Sequence, residues 1–198
     1  MTRIIGGSAG GRTIRTPTGD ATRPTTDRVR EALFSVLQSR VGSLQGLTVL
    51  DLYAGSGAIG LEAASRGATR VILVEKDRRT AGLVRRNAAD LGLEVTVVAA
   101  PVARFLAGGP DAASPPVDVV FADPPYPLAS SDVAADLTAL AGWLAPTALV
   151  VVERSARDRT WAWPDGYDEV DRRRYGETVL LLAQPADPAE PAEDAGPR

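Results

Sequence analysis

The densest chemistry in the chain lies in four consecutive residues, Asp123-Pro124-Pro125-Tyr126, which follow the apolar run VDVVFA. Prolines fix φ and stiffen the turn, so the Asp123 carboxylate and the Pro124 carbonyl are presented as preorganised acceptors. Two acceptors set against the two N–H groups of an exocyclic amine would orient its delocalised nitrogen and drain the charge that appears when it attacks an electrophile. Asp123 is also placed to take the released proton, directly or through water. Tyr126 offers a flat apolar face for a base. The plainer alternative is a Pro-rich turn that closes a core strand.

A second constellation runs from Asp51 through Leu52, Tyr53, Ala54, Gly55, Ser56, Gly57, Ala58 and Ile59 to Gly60. Its glycines satisfy G-x-G-x-x-G between an apolar run and a helical pattern, where backbone can approach a ligand at a helix N-terminus. The same pattern serves dinucleotide-binding folds, and a tight turn without ligand also satisfies it. Glu75 closes the next apolar run, where an open α/β sheet holds ribose hydroxyls. This suits a nucleoside in either kind of cofactor. Asp51 separates them, because a carboxylate there suits the cationic end of S-adenosylmethionine and would repel a pyrophosphate.

Two arginine-bearing stretches remain. Arg23, Thr25, Thr26, Asp27 and Arg30 surround the start of a helical pattern, and read either as an ordinary cap with a polar face or as a site edge. Arg172, Arg173, Arg174 and Tyr175 lie between two strand-like segments and read either as a solvated loop or as a phosphate grip with a stacking ring. Trp161 and Trp163 read as packing residues.

The chain of 198 residues has no Cys and no His. Disulfides, thiolate nucleophiles, a His base and Cys/His zinc sites are excluded, so carboxylates, hydroxyls and backbone groups must carry any chemistry. No metal is expected. The N-terminus lacks the apolar core of a signal peptide and no apolar run approaches the ~18–20 residues of a bilayer span, so a cytoplasmic protein without membrane association is expected. Charge is unevenly spread about the net value of -3. The acids Asp187, Glu190, Glu193 and Asp194 crowd the last residues, whereas residues 1–40 hold seven Arg against Asp20, Asp27 and Glu31. A positive end of this kind suits a phosphate-bearing partner.

These residues are positioned by an alternation of short apolar runs and helical patterns. TVLDLYA, VILVEKD, VTVVAA, VDVVFADPP, ALVVVER and TVLLLA read as strands buried on both faces; IGLEAASRG, RRTAGLVRRNAADLG and DVAADLTALAGWL read as helices. Such alternation predicts a doubly wound, mostly parallel α/β sheet. Ahead of it, Arg3–Ile5 and Arg12–Thr16 flank a Gly-rich stretch and predict a hairpin, followed by an amphipathic helix from about Thr25 to near Gly42. The expected organisation is a hairpin extension over residues 1–24, an α/β domain over 25–184, and a disordered acidic Pro/Ala tail over 185–198.

Taken together, RIIGG, RPTTDRVREALF, LDLYAGSGAIGLEAASRGA, VEKD, VFADPPY, ALVVVE and RRYGETVLLL resemble the RsmD family of 16S ribosomal RNA guanine-N2 methyltransferases, within the class I methyltransferases. The resemblance covers nearly the whole chain, and RPTTDRVRE is its more specific part. It implies a seven-stranded Rossmann-like sheet with the last strand antiparallel and an N-terminal extension that helps hold RNA. It also implies S-adenosylmethionine as cofactor, with Asp51, Tyr53, Gly55, Ser56, Gly57, Glu75, Lys76, Val102 and Asp123 as its contacts. Asp123, Pro124, Pro125 and Tyr126 would receive a flipped guanine. Arg23, Thr25, Thr26, Asp27, Arg30, Arg173, Arg174 and Tyr175 would face RNA, the partner being 16S rRNA in the small ribosomal subunit or its assembly intermediate, met by a monomer. Ala99-Ala100-Pro101-Val102-Ala103 departs from the class pattern, lacking the acid that binds the adenine amine and leaving that task to backbone near Val102. An adenine-N6 methyltransferase and an NAD-dependent oxidoreductase are the alternatives.

Overall fold

The computed structural model describes residues 2–17, 27–125, 128–158 and 160–187. Arg23, Thr25, Thr26, Tyr126 and residues 188–198 of the expected tail lie outside them.

A hairpin of β1 (Thr2–Arg3) and β2 (Thr13–Ile14) opens the fold and is followed by α1 (Asp27–Val41). Then come β3 (Thr48–Leu52), α2 (Ala58–Ser65), β4 (Arg70–Glu75), α3 (Arg78–Leu91), β5 (Thr96–Ala99), α4 (Val102–Ala107), β6 (Val117–Ala122) and α5 (Ser130–Leu140). A 3-10 turn leads into β7 (Leu144–Ser155), β8 (Tyr167–Tyr175) and β9 (Thr178–Pro185). The seven-stranded sheet has the order β5-β4-β3-β6-β7-β9-β8. Its first five strands are parallel, and β9 runs antiparallel to both neighbours.

The apolar runs are continuous because both faces are covered. On one face Val49, Leu73, Phe121 and Val151 pack under Leu33, Ile59 and Val84; on the other Leu50, Val74, Val120 and Val150 pack under Leu106, Val133 and Leu137. Successive strand residues thus alternate between two cores. Strand order reverses between β3 and β6, which opens a crevice beyond their carboxyl ends.

Two elements differ from the sequence reading. The stretch holding Arg172–Tyr175 is not a loop: it belongs to β8, an edge strand whose exposed faces need no apolar run. The segment after β5 forms α4, a single short helix begun by Pro101, too brief to show helical periodicity. The hairpin strands are shorter than expected, and ordered chain continues past the expected tail boundary, since Pro185 ends β9 and Ala186 N–H donates to Gly166 O at 2.9 Å.

The hairpin is docked on α2 and α3 through Ile4, Ala9 and Ile14 against Leu61, Ala88 and Leu91. Buried Glu62 accepts from Ile5 N–H (2.6 Å), Gly6 N–H (2.8 Å) and Arg66 Nε (2.7 Å), so its charge is satisfied by three donors. Gly7 is required where it is: at φ +77° a Cβ would lie 1.8 Å from Ser65 O. Among the described residues no helix is long and apolar enough to cross a membrane.

Candidate active site

The glycine loop leads from the tip of β3 into α2 and is tied to the tip of β4 through Glu75. Tyr53 follows β3 at φ +62°, a left-handed conformation that costs energy in a non-glycine residue and is found where a site over-determines the backbone. Gly55 continues the turn at φ +53°, and its N–H donates to Glu75 Oε2 at 3.0 Å. Glu75 Oε1 accepts from Asp77 N–H at 2.7 Å, so one carboxylate pins both strand-to-helix turns. Gly60 allows α2 to lie close to the sheet: a Cβ would meet Leu73 Cδ2 at 2.6 Å. Its N–H donates to Asp51 Oδ2 at 2.8 Å.

These elements wall a cleft of about 770 Å³ above the switch point. Asp51, Tyr53, Gly55, Ser56, Glu75, Lys76, Val102, Asp123 and Pro125 all line it, from the ends of β3, β4 and β6 and the start of α4. The remaining wall mixes apolar groups, Ile59, Val74, Phe121 and Leu128, with Thr2, Thr16 and Pro17 of the hairpin segment. The cleft therefore combines flat apolar surface with few convergent polar groups, as small-molecule sites do. Burial pushes Asp51 up to about 8; the Gly60 bond works against this, while the charges of Asp123 and Glu75 add to it. The charges that raise Asp51, those of Asp123 and Glu75, favour a cationic occupant and disfavour a pyrophosphate. Among the described residues no group of acids is arranged to hold a metal ion.

Other expected residues fall elsewhere. Gly57, at φ +81°, caps α2 beneath the loop, where its hydrogen-only side faces Val84, Leu61 and Leu73 and not the cleft. Arg30 touches the cleft wall but is wholly buried, donating to Arg3 O and to Asp27 Oδ1 (3.0 Å) with Glu62 at 4.0 Å. It is a clamp between hairpin, α1 and α2, enclosed too completely for an RNA phosphate. Asp27 remains partly exposed beside it. Arg173 and Arg174 lie on β8, where Arg173 pairs with Asp171 at 3.0 Å and Arg174 donates to Gly176 O at 2.9 Å. Arg172 pairs with Glu169, so two of the three consecutive cations are already met by acids. Through Tyr175↔Thr178 and Thr178↔Ser155 this end of β8 shares the carboxyl edge of the sheet with Asp123. The tryptophans pack as expected, Trp161 edge-on to Trp163 and Trp163 stacked on Tyr167.

Sequence reasoning missed two features. Asp136 of α5 accepts the Tyr53 hydroxyl and thereby holds the loop to the opposite face; burial raises its carboxyl against the lowering effect of that bond. A second cavity, of about 420 Å³, lies beyond the Asp123 turn, lined by Asp123, Pro124, Leu128, Ser130, Glu153, Arg154 and Asp158 among others. Arg154 donates to Asp158 (2.9 Å) and Ser130 (3.0 Å) and lies over the Trp161 ring. Burial would raise Asp158, yet bonds from Thr160, Arg154 and Ser130 outweigh it and hold the carboxyl well below its usual range. Pro125 faces the first cavity, Pro124 the second, and Asp123 both. Asp123 and Leu128 thus stand at a partition between the two cavities.

The family model described as conserved hypothetical protein 95 matches residues 2–184. Ribosomal RNA small subunit methyltransferase D of Escherichia coli is 41% identical over 92% of this chain and 89% of its own length. The protein of the same name from Haemophilus influenzae is 32% identical over 92% and 93%. The solved structure of yhhF from Escherichia coli, a candidate methyltransferase, superposes with a TM-score of 0.79 at 33% identity, covering 93% of this chain and 98% of that one. With its seven-stranded, mostly parallel doubly wound sheet, the chain has the class I methyltransferase fold and belongs to the conserved hypothetical protein 95 family, that of the RsmD methyltransferases.

Proposed function

We propose that this chain transfers a methyl group from S-adenosylmethionine to the exocyclic N2 of a guanine in 16S ribosomal RNA, within the small subunit or its assembly intermediate. The observation that carries the reading is the partition: one carboxylate, Asp123, borders both a nucleoside-sized cleft and a separate polar cavity. The names of the relatives add ribosomal RNA of the small subunit as the substrate class.

The residues present fit the cofactor. Glu75, held by Gly55 and Asp77 amides, keeps lone pairs for ribose hydroxyls, and Asp51, whose carboxyl burial raises to about 8, would give up its proton beside a cationic end. Val102 and Phe121 give the purine apolar surface, with backbone at the start of α4 in place of an acidic side chain. S-adenosylmethionine, when bound, supplies an electrophilic methyl on sulfur. Asp123 and the Pro124 carbonyl would hold the amine by its N–H groups and turn its nitrogen lone pair toward the methyl donor, whose sulfur would carry away the electron pair of the broken S–C bond. Asp123 would take the proton released from the amine, directly or through an adjacent water. The proline-stiffened turn confines the acceptor, and the apolar walls exclude competing water.

The hairpin segment and the β8 edge are the proposed RNA contacts, because Thr2, Thr16 and Pro17 of the first line the cleft beside Arg3 and Arg15, and the Arg174 end of the second lies on the same carboxyl edge of the sheet. Small subunits from a deletion strain, methylated by the purified chain and digested to nucleosides, should yield N2-methylguanosine. N6-methyladenosine in its place would overturn the choice of base, and failure of S-adenosylhomocysteine to bind would overturn the cofactor.

A further inference from the structure

We infer that the outer face of α3 is a phosphate-binding ridge that holds the backbone of the ribosomal RNA beside the target nucleotide. The inference rests on the RNA-methyltransferase reading and adds to it a surface outside both cavities. Between residues 76 and 91, Lys76, Arg78, Arg79, Arg85 and Arg86 stand against Asp77 and Asp90, and all four arginines are exposed. Both acids are engaged: Asp77 caps the helix by accepting from Thr80 N–H at 2.7 Å, and Asp90 pairs with Arg15 at 3.0 Å. On the opposite face of the sheet α5 carries Asp132 and Asp136 and no cation, so these two helices differ in sign.

The charges of α3 run against its own dipole. Arg78 and Arg79 occupy the first turn, which holds no acid, and Asp90 the last, which holds no cation, each at the less favourable end for its sign. A polyanion laid on the outer face relieves this conflict at the arginine end. Helical periodicity sets Arg79, Leu83, Arg86 and Asp90 in one stripe, on the side where the Asn87 amide donates to Arg15 O of the hairpin segment at 2.9 Å. Lys76 begins this track at the cleft, and Arg12, which donates to Leu91 O at 2.9 Å, ends it. Arg79 and Arg86 are about 10.5 Å apart along the helix, a length over which a nucleic-acid strand presents several phosphates. The planar guanidinium suits those phosphates, whereas a protein partner calls for apolar and aromatic groups, of which the stripe offers only half-buried Leu83.

The test compares the full chain with the double variant Arg79→Gln, Arg86→Gln and with Arg79→Glu, on small subunits from the deletion strain and over a range of salt. The double variant should raise the KM for subunits about fivefold to tenfold, with kcat and affinity for S-adenosylhomocysteine retained. It should also reduce the slope of log affinity against log salt by about 1.4 to 1.8, the share of two phosphate contacts. Arg79→Glu should weaken RNA binding and yet raise the Tm of the free protein, because an acid then stands at the positive end of α3. A merely solvated arginine would give the higher Tm without the loss of RNA. A photocrosslinker on Arg86→Cys, in a chain that has no other Cys, should label 16S RNA. An unchanged KM and salt slope, or labelling of a ribosomal protein in place of RNA, would overturn the ridge and leave the methyltransferase reading standing. A wild type that methylates no RNA in these subunits would overturn both.

Discussion

The two cavities that meet at Asp123 are built in different ways. The larger is shaped by backbone: the left-handed Tyr53 and Gly55, and Gly60 pressed against Leu73, set the loop among three strand tips that carry Asp51, Glu75 and Asp123. The smaller is shaped by paired side chains, with Arg154, Asp158, Ser130 and Thr160 bonded into one network from β7, α5 and the segment between β7 and β8. Backbone shape gives a fixed pocket for an invariant small molecule. A side-chain network gives a surface whose pattern of donors and acceptors changes with any one member, without moving a strand.

The comparison is broken most severely at the wall between them. Asp123→Ala should lower the single-turnover methylation rate roughly 10²- to 10⁴-fold while the dissociation constant for S-adenosylhomocysteine changes little. An unchanged rate would remove Asp123 from the chemistry.

On the cofactor side, the pH dependence of stability isolates Asp51. Its carboxyl sits at about 8 in the fold against an ordinary value of 3.8, so the folded state holds a proton that the unfolded chain releases. The stability this gives is complete below about pH 4 and is lost as pH rises through about 8. The cofactor-free protein should therefore weaken across that window, and Asp51→Asn, which can still accept from Gly60, should flatten the slope. Parallel thermal-denaturation curves for the two proteins between pH 5 and 9 would refute the assignment.

On the base side, Asp158→Asn releases Arg154 and disorders the second cavity. The KM for RNA should rise by about fivefold to tenfold, with cofactor affinity unaltered. A weakened cofactor and an unaltered KM would show that the cavities are not separate in function. The smallest effect is expected at the sheet edge, where Arg174→Ala should weaken RNA binding by less than about 1 kcal/mol and reduce its salt dependence by roughly one phosphate contact. No change in the salt slope would place the RNA elsewhere.

Much of the cofactor side was legible in the sequence because its signals are local. The glycines, the carboxylate before them and the acid closing the next strand each follow from chain geometry within a few residues, and Asp51, Gly55 and Glu75 all line the cleft. The same loop shows the limit: Gly57 fits the motif but serves the packing of α2 against Val84 and Leu73. Arg30 reads as an exposed helix residue, yet the docked hairpin encloses it completely. β8 was hidden because an edge strand exposes charge on both sides and lacks an apolar run.

By itself the sequence determined the alternation of buried strands and helices, the turn chemistry at the tips of β3 and β6, and the absence of thiol and imidazole from any mechanism. These depend on side-chain periodicity and on backbone restrictions that act over a few bonds. The tertiary structure alone decided that Asp123 stands level with Glu153, that Tyr53 is tied to Asp136, and that one turn divides two cavities. Strand order and register bring together residues 30 or more positions apart, and no local pattern encodes that distance.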